Sequence, residues 1–165
     1  RCIEICDELR MLLFHDMEQS PETKKMEKLS KESLAKSGGI LLNENNRILL
    51  VQSRANKWGF PKGSLEPGET FEECAEREVF EETSFKISVS DADPKIKFHK
   101  GCIFFFKETN VSTKSSAIKL KHILKPENDC TGICWMRLSC LKRNVKDHPE
   151  YFTTHVRSFA KKYFT

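Results

Sequence analysis

An acidic helical segment is the feature that most constrains this chain. Residues 63–85 read GSLEPGETFEECAEREVFEETSF and contain eight glutamates but only one arginine. Thr70 and Glu73 have the spacing of a capping box, so we predict that a helix begins directly after Thr70. Apolar residues then recur at helical spacing and predict one buried stripe: Phe71, Cys74, Ala75 and Val79.

Three of the glutamates fall on one face of this predicted helix. Glu78, Glu81 and Glu82 stand at positions i, i+3 and i+4, which places their carboxylates side by side. Like charges this close repel one another unless a cation lies among them. Clustered carboxylate oxygens suit Mg²⁺ or Mn²⁺, and both ions also bind phosphates. The alternative interpretation is an ordinary solvated acidic face.

The pattern around these glutamates resembles the signature of the Nudix hydrolases. That signature has a glycine, a glutamate, an REUxEE core in which U is aliphatic, and a closing glycine followed by a hydrophobic residue. Gly63, Glu69 and residues 77–82 occupy the matching positions here, whereas Ser84 stands in place of the closing glycine. Because helices often end on a left-handed residue, serine at this position should cost on the order of 1 kcal/mol.

The resemblance implies a fold, a reaction and residue roles. The implied fold is α/β (α+β), an α/β/α sandwich with a mixed β-sheet, and the implied reaction is metal-dependent hydrolysis of a phosphoanhydride bond. Glu82 would be catalytic, and Glu69 and Arg77 would pair and brace the loop. The groups implied to hold Mg²⁺ or Mn²⁺ are Glu78, Glu81, Glu82 and the carbonyl of Gly63.

A narrower resemblance covers about residues 37–165. The segment WGFPKG at 58–63, the Cys-Ala pair that precedes the REV tripeptide, and the tripeptide ICW at 133–135 are similar to the catalytic domain of the eukaryotic mRNA-decapping enzyme. This resemblance implies that capped mRNA is cleaved to 7-methyl-GDP and 5′-monophosphate RNA. It also implies a cytoplasmic role in mRNA decay and a protein activator as a partner.

The decapping resemblance extends to a general base and to RNA contacts. A carboxylate ahead of Trp135 would deprotonate water, with Asp129 as the first candidate and Glu127 as the second. The alternative is that both carboxylates only decorate a surface loop. Basic side chains would neutralise RNA phosphates, or else be solvated while the aromatic residues of the last helix form core. These basic residues are Lys62, Lys119, Lys121, Lys125, Arg157, Lys161 and Lys162.

The charge distribution divides the chain into an acidic and a basic part. Residues 1–93 carry thirteen Lys and Arg against nineteen Asp and Glu, whereas residues 94–165 carry fifteen against five. The net charge is therefore −6 in the first part and +10 in the second, within a total of +4 at pH 7. A metal site beside a polyanion-binding surface fits this asymmetry, and so does a lysine-rich solvated surface.

The order of predicted elements indicates one catalytic domain after a short leading segment. Residues 1–17 predict an amphipathic helix, and residues 1–36 either pack on the rest or belong to a truncated accessory domain. Residues 37–165 are the expected Nudix domain, including a last helix that begins at Pro149. Its predicted strands are a hairpin around residues 43–46 and segments 86–90, 95–99, 102–107, 118–124 and 133–137.

The cysteines and the hydropathy exclude several classes of protein. Seven cysteines without a CxxC pair favour reduced thiols inside the cell. Cys130, Cys134, Cys140 and His148 match no usual zinc spacing. No run of eighteen apolar residues occurs, so no membrane span is expected. DNA is not an expected partner.

Two other functions stay open. Decapping enzymes use a tryptophan from an N-terminal domain to stack on the cap base, but residues 1–36 contain none. Either an upstream portion is absent or the cap is recognised differently, and the missing cap-stacking domain favours a hydrolase of diphosphoinositol phosphates or dinucleoside polyphosphates. The third interpretation is a catalytically silent Nudix fold that binds RNA, although the intact trio of Glu78, Glu81 and Glu82 argues against it.

Overall fold

A mixed β-sheet forms the centre of the protein. The computed structural model describes residues 10–13, 35–53, 55–98, 101–110 and 130–163. Within them, eight strands are present: β1 (Arg10–Leu13), β2 (Lys36–Asn43), β3 (Arg47–Ser53), β4 (Trp58–Gly59), β5 (Lys62–Ser64), β6 (Lys95–Phe98), β7 (Cys102–Thr109) and β8 (Cys130–Arg137). Their order is β1-β8-β3-β2-β7-β6, with β4 added to β3 and β5 added to β2. Of the described pairs, β2 and β7 run in parallel and the others run antiparallel.

Helices cover both faces of this sheet. They are α1 (Phe71–Thr83), α2 (Leu138–Asp147), a 3₁₀ turn (Pro149–Tyr151) and α3 (Thr154–Tyr163). Val79 of α1 packs on one face with Leu41 and Trp135. Val156 of α3 belongs to the core on the other face, together with Ile40. Because side chains alternate along a strand, β2 supplies both cores, and the predicted α/β/α sandwich is confirmed.

Helix α1 has the local features that its sequence predicts. The Thr70 hydroxyl accepts from the Glu73 amide at 3.1 Å, and the Glu73 carboxylate accepts from the Thr70 amide at 3.0 Å. The helix ends at Ser84, which adopts the left-handed conformation with φ 63°. The buried Ser84 hydroxyl has no hydrogen-bond partner among the described residues. Serine therefore occupies a position that favours glycine.

The hairpin predicted around residues 43–46 is confirmed as the β2–β3 connection. Asn43 organises the turn, since its side-chain oxygen accepts from the amides of Asn45 and Arg47, each at 3.0 Å. Asn46 takes a positive φ of 56°, which asparagine tolerates better than most residues. Strands β6, β7 and β8 also appear where the sequence predicts them.

Three parts of the chain after α1 differ from what the sequence analysis expects. Residues 86–90 form no strand, because the Val89 amide donates to the Glu76 carboxylate at 2.7 Å instead of joining a ladder. Helix α2 was not predicted, although its buried face includes Cys140 and Leu141. The last helix begins at Thr154, since Pro149–Tyr151 is a separate 3₁₀ turn.

The leading segment contributes an edge strand. Residues 10–13 form β1, which pairs antiparallel with β8 in the register Arg10↔Trp135. The helix prediction is wrong for these four residues, because a short apolar run fits an open sheet edge as well as a helix. The other residues of segment 1–34, and the predicted strand at 118–124, lie outside the described residues. None of the described helices is long and apolar enough to cross a membrane.

Candidate active site

The loop that follows β4 lies directly against helix α1. Strand β5 pairs with β2 in the register Ser37↔Gly63, and the Ser37 hydroxyl donates to the carbonyl of Phe71 at 2.7 Å. The backbone of Gly63 is so close to Glu78 that a Cβ at Gly63 would overlap with the Glu78 carboxyl group. A side chain at position 63 would therefore displace the Glu78 carboxylate from the Gly63 backbone.

Arg77 ties the loop to the helix through Glu69. The guanidinium donates to both oxygens of Glu69, at 2.7 and 2.9 Å, and to the carbonyl of Ser64 at 3.0 Å. The hydrogen bond from Arg77 lowers the pKa of Glu69 to about 2. The Glu69 carboxylate also accepts from the Glu66 amide at 3.0 Å. The ion pair that the sequence predicts is thus present, and it fixes the path of the loop.

The remaining nitrogen of Arg77 lies between two of the clustered carboxylates. Its Nη1 donates to Glu78 at 2.8 Å and to Glu81 at 3.2 Å. Burial raises the pKa of Glu78, while the neighbouring Arg77 charge opposes that rise. The cation that these like charges need is supplied by Arg77 in this side-chain arrangement.

Glu82 connects the end of α1 to β5. Its carboxylate accepts from the backbone amide of Lys62 at 3.3 Å. In the described part of the chain, no three His, Cys, Asp or Glu side chains are gathered closely enough to hold a metal ion. The chemistry of the donors nevertheless fits Mg²⁺ or Mn²⁺, since Glu78 lies against the Gly63 backbone and Glu81 and Glu82 follow on the same helical face. Such an ion would compete with Arg77 for Glu78 and Glu81.

The match to a known family decides what this arrangement is. The NUDIX domain profile matches residues 34–155, which include β2, β5 and α1. The chain belongs to the Nudix family. The loop and helix that carry Gly63, Glu69 and the glutamate trio are therefore its Nudix signature.

Several curated Nudix relatives align with parts of the chain. The proposed hydrolase 111R of Invertebrate iridescent virus 3 is 30% identical over 106 residues, which cover 64% of this chain and 60% of that protein. A proposed 8-oxo-dGTP diphosphatase of Bacillus subtilis is 44% identical over 52 residues, or 31% of this chain and 35% of that protein. The m7GpppN-mRNA hydrolase dcap-2 of Caenorhabditis elegans is 36% identical over 74 residues, which cover 42% of this chain and 9% of that protein. The chain thus spans less than two thirds of the length of each relative.

Solved structures share the fold at low sequence identity. DR0079 from Deinococcus radiodurans superposes with a TM-score of 0.58 and 16% identity, covering 82% of this chain and 85% of that one. A C. elegans Ap4A hydrolase in a binary complex superposes with a TM-score of 0.53 and 18% identity, covering 78% of this chain and 95% of that one. These similarities establish the Nudix architecture alone.

The other predicted site residues divide into two groups. Asp129, Glu127, Lys119, Lys121 and Lys125 lie outside the described residues, so their roles stay predictions. The described basic residues lie on β5 and α3: Lys62, Arg157, Lys161 and Lys162. On α3, Phe159 is 6% exposed and Tyr163 is 47% exposed. Phe159 is therefore a core residue, whereas the Tyr163 ring partly faces solvent.

The described cysteines are buried and free: Cys74, Cys102, Cys130, Cys134 and Cys140. Cys74 contacts the signature loop, because its thiol donates to the Gly63 carbonyl at 3.5 Å. Burial raises the pKa of the Cys74 thiol to about 12. The Cys74 thiol is therefore protonated at neutral pH.

One residue near the site was missed by sequence analysis. His155 of α3 packs against Phe98 and Phe104 on the face opposite α1. Burial, followed by the charges of Lys62 and Lys36, lowers the pKa of His155 to about 4. No local sequence pattern indicates this packing, because Phe98 and Phe104 lie on β6 and β7 whereas His155 lies on α3.

Proposed function

We propose that this Nudix chain hydrolyses a phosphoanhydride bond in a nucleoside diphosphate-linked substrate, and that the substrate is capped RNA. The products would be 7-methyl-GDP and 5′-monophosphate RNA. The observation that carries the proposal is the packing of Glu78 against Gly63, with Glu81 and Glu82 on the same helical face. This arrangement retains the groups that bind the metal in the Nudix signature, whereas a silent fold would have no need of them.

Each residue of the site has a distinct task in this proposal. Bound Mg²⁺ or Mn²⁺, held by the glutamate trio and the Gly63 carbonyl, would neutralise charge on the non-bridging phosphate oxygens. The Glu69–Arg77 pair keeps the loop in place beside α1. Asp129, or else Glu127, accepts the proton of the attacking water.

The choice of RNA is supported by residues outside the signature. The WGFPKG segment resembles that of decapping enzymes, and one relative is a C. elegans m7GpppN-mRNA hydrolase. The basic part of the chain supplies positive charge for a polyanion, through side chains such as Arg157, Lys161 and Lys162. A cytoplasmic location and a protein activator belong to the same proposal.

A small-molecule substrate is the second candidate. Relatives that are not decapping enzymes match equally well, and one is a proposed 8-oxo-dGTP diphosphatase. This observation favours a compact substrate, such as a dinucleoside polyphosphate or a diphosphoinositol phosphate.

A substrate panel separates these candidates. The protein is incubated with cap-labelled RNA, free cap analogue, diadenosine tetraphosphate and a diphosphoinositol phosphate, each with Mg²⁺ or Mn²⁺. Capped-RNA hydrolysis should release 7-methyl-GDP from long RNA and little from the free cap. Turnover of a small substrate alone would reject decapping. No turnover of any substrate, combined with RNA binding, would identify a silent module.

A further inference from the structure

A half-buried histidine on the far side of the sheet has no role in the site described above. His155 is the second residue of α3, and its ring lies 4.9 Å from Phe98 and 5.2 Å from Phe104, measured between centroids. Neither of its ring nitrogens forms a hydrogen bond with a residue that the structure describes. Because a polar nitrogen in such surroundings needs a partner, both nitrogens are available to a ligand or to water.

Two lysines share this face of the sheet. Gly38 of β2 pairs with Lys62 on one side and with Phe104 on the other, so Lys62 and Phe104 project to the same face. Lys36 lies two residues before Gly38 and therefore projects the same way. The charges of both lysines oppose protonation of His155. Strand register thus places both lysines on the face of the sheet against which α3 and His155 pack.

Lys62 joins this edge to the catalytic loop. Its amide donates to Glu82 at 3.3 Å, and the next residue, Gly63, lies against Glu78 on the α1 face. No carboxylate in the described part of the chain forms an ion pair with the Lys62 ammonium. A lysine ammonium at this position, beside a phosphate-cleaving site, attracts a second anionic group.

We propose that Lys36, Lys62 and His155 form a phosphate-binding subsite for the part of the substrate that extends beyond the scissile bond. The inference rests on the proposed hydrolase function and deepens it, because it routes the substrate from the glutamate trio over β5 to the α3 face. The lysines supply charge, and the imidazole donates a hydrogen bond and gains a proton when the phosphate binds. The phosphates of an RNA strand and of a small compound offer the same chemistry.

Histidine NMR of the full chain tests the subsite without turnover. Protein labelled with ¹⁵N-histidine is titrated in EDTA with a 5′-monophosphorylated six-nucleotide RNA and, separately, with inorganic pyrophosphate. The His155 ring signals should shift saturably, while those of exposed His148 stay in place. If the signals respond at lower concentrations of RNA than of pyrophosphate, the subsite binds an RNA strand. If they respond at lower concentrations of pyrophosphate, it binds a compact phosphate compound. No saturable shift with either probe would overturn the proposal.

A matched pair of lysine variants provides the second readout. Lys62→Gln should weaken RNA binding about five- to tenfold and reduce the slope of log affinity against log salt by about 1. Lys97→Gln removes the same charge from an exposed β6 position on the opposite face, and should change affinity less than about twofold. Equal losses in both variants would leave only general electrostatic attraction and refute the subsite. Because RNA binding is measured without metal, it tests the subsite even if the protein hydrolyses none of the substrates in the panel.

Discussion

The guanidinium of Arg77 donates hydrogen bonds to both carboxylate oxygens of Glu69, from Nε at 2.7 Å and from Nη2 at 2.9 Å. The same side chain reaches the Ser64 carbonyl and the Glu78 carboxylate. One residue therefore fixes the loop and balances the charge of the helix face. Only arginine offers enough donors in a planar fork to do both.

Replacement of Arg77 by lysine keeps the charge but removes the fork. Arg77→Lys should lower the free energy of unfolding by about 1–3 kcal/mol, because Glu69 and Ser64 lose charge-assisted hydrogen bonds. Urea denaturation measures this loss. Arg157→Lys is the stability control and should cost less than about 0.5 kcal/mol, since in the described part of the chain the Arg157 side chain bonds only to the exposed Thr154 hydroxyl. Equal costs in the two variants would contradict a special role of Arg77.

The depressed pKa of Glu69 predicts an acid-sensitive contribution to stability. Its folded pKa is about 2, below the ordinary value of 4.5. The stabilisation is therefore fully present above about pH 4.5 and is lost as the pH falls toward 2. After solvent screening it is on the order of 1 kcal/mol. Unfolding free energies from pH 6 to 3 should show Glu69→Gln less stable at pH 6, with a gap that narrows in acid; a constant gap would refute the assignment.

Gly63→Ala tests the close approach at the centre of the site. The added Cβ would overlap with the Glu78 carboxyl group, so Glu78 must move. We expect a loss of about 1 kcal/mol in unfolding free energy, because the displaced carboxylate loses its hydrogen bond from Arg77, and weaker Mn²⁺ binding by calorimetry. In a Glu78→Ala background, the same change should cost far less stability, because the clashing group is gone. Additive costs would show that the contact does not constrain Gly63.

Ser84→Gly should stabilise the protein. Glycine relieves the left-handed strain at φ 63° and removes a buried hydroxyl without a described partner, for a gain of about 1 kcal/mol. The midpoint of thermal unfolding should rise by about 2–4 °C. Ser84→Ala removes the hydroxyl but keeps the strain, so it should gain less. A glycine variant no more stable than the alanine variant would exclude strain as the cause.

Glu82→Gln should separate catalysis from RNA binding. Glutamine can still accept from the Lys62 amide, so the loop stays attached, but the negative charge is lost. Hydrolysis of cap-labelled RNA should fall about 100-fold or more, with RNA affinity by fluorescence anisotropy changed less than about twofold. Glu108→Gln, an exposed change on β7, is the matched control. A fully active Glu82→Gln enzyme would remove Glu82 from the mechanism.

The sequence predicts best where all the determining residues are close together in the chain. Helix α1 carries its capping box, its apolar stripe and its terminal residue within 15 positions, and each lies where the pattern places it, except that Phe71 of the predicted stripe is only half-buried. The same holds for the Asn43 turn between β2 and β3, because its hydrogen bonds are local. The Glu69–Arg77 pair was predictable through the resemblance to the Nudix signature.

Long-range pairing and competition between partners were not predictable. The pairing of β1 with β8 joins opposite ends of the chain. Residues 86–90 have strand-like composition, but a Glu76 side chain takes the Val89 amide. Likewise, no local pattern indicates that Lys36 and Lys62, on two strands, and His155, on a helix, share one face of the sheet.

The buried thiols of the protein are natural probes of local opening. Cys74 borders the signature loop, whereas Cys134 lies in the middle of the sheet, 1% exposed. An alkylating reagent reaches either sulfur only while the surrounding region is open. Mass spectrometry of the alkylated peptides would therefore measure the opening rate of the loop separately from that of the sheet. No cysteine has to be introduced for this experiment.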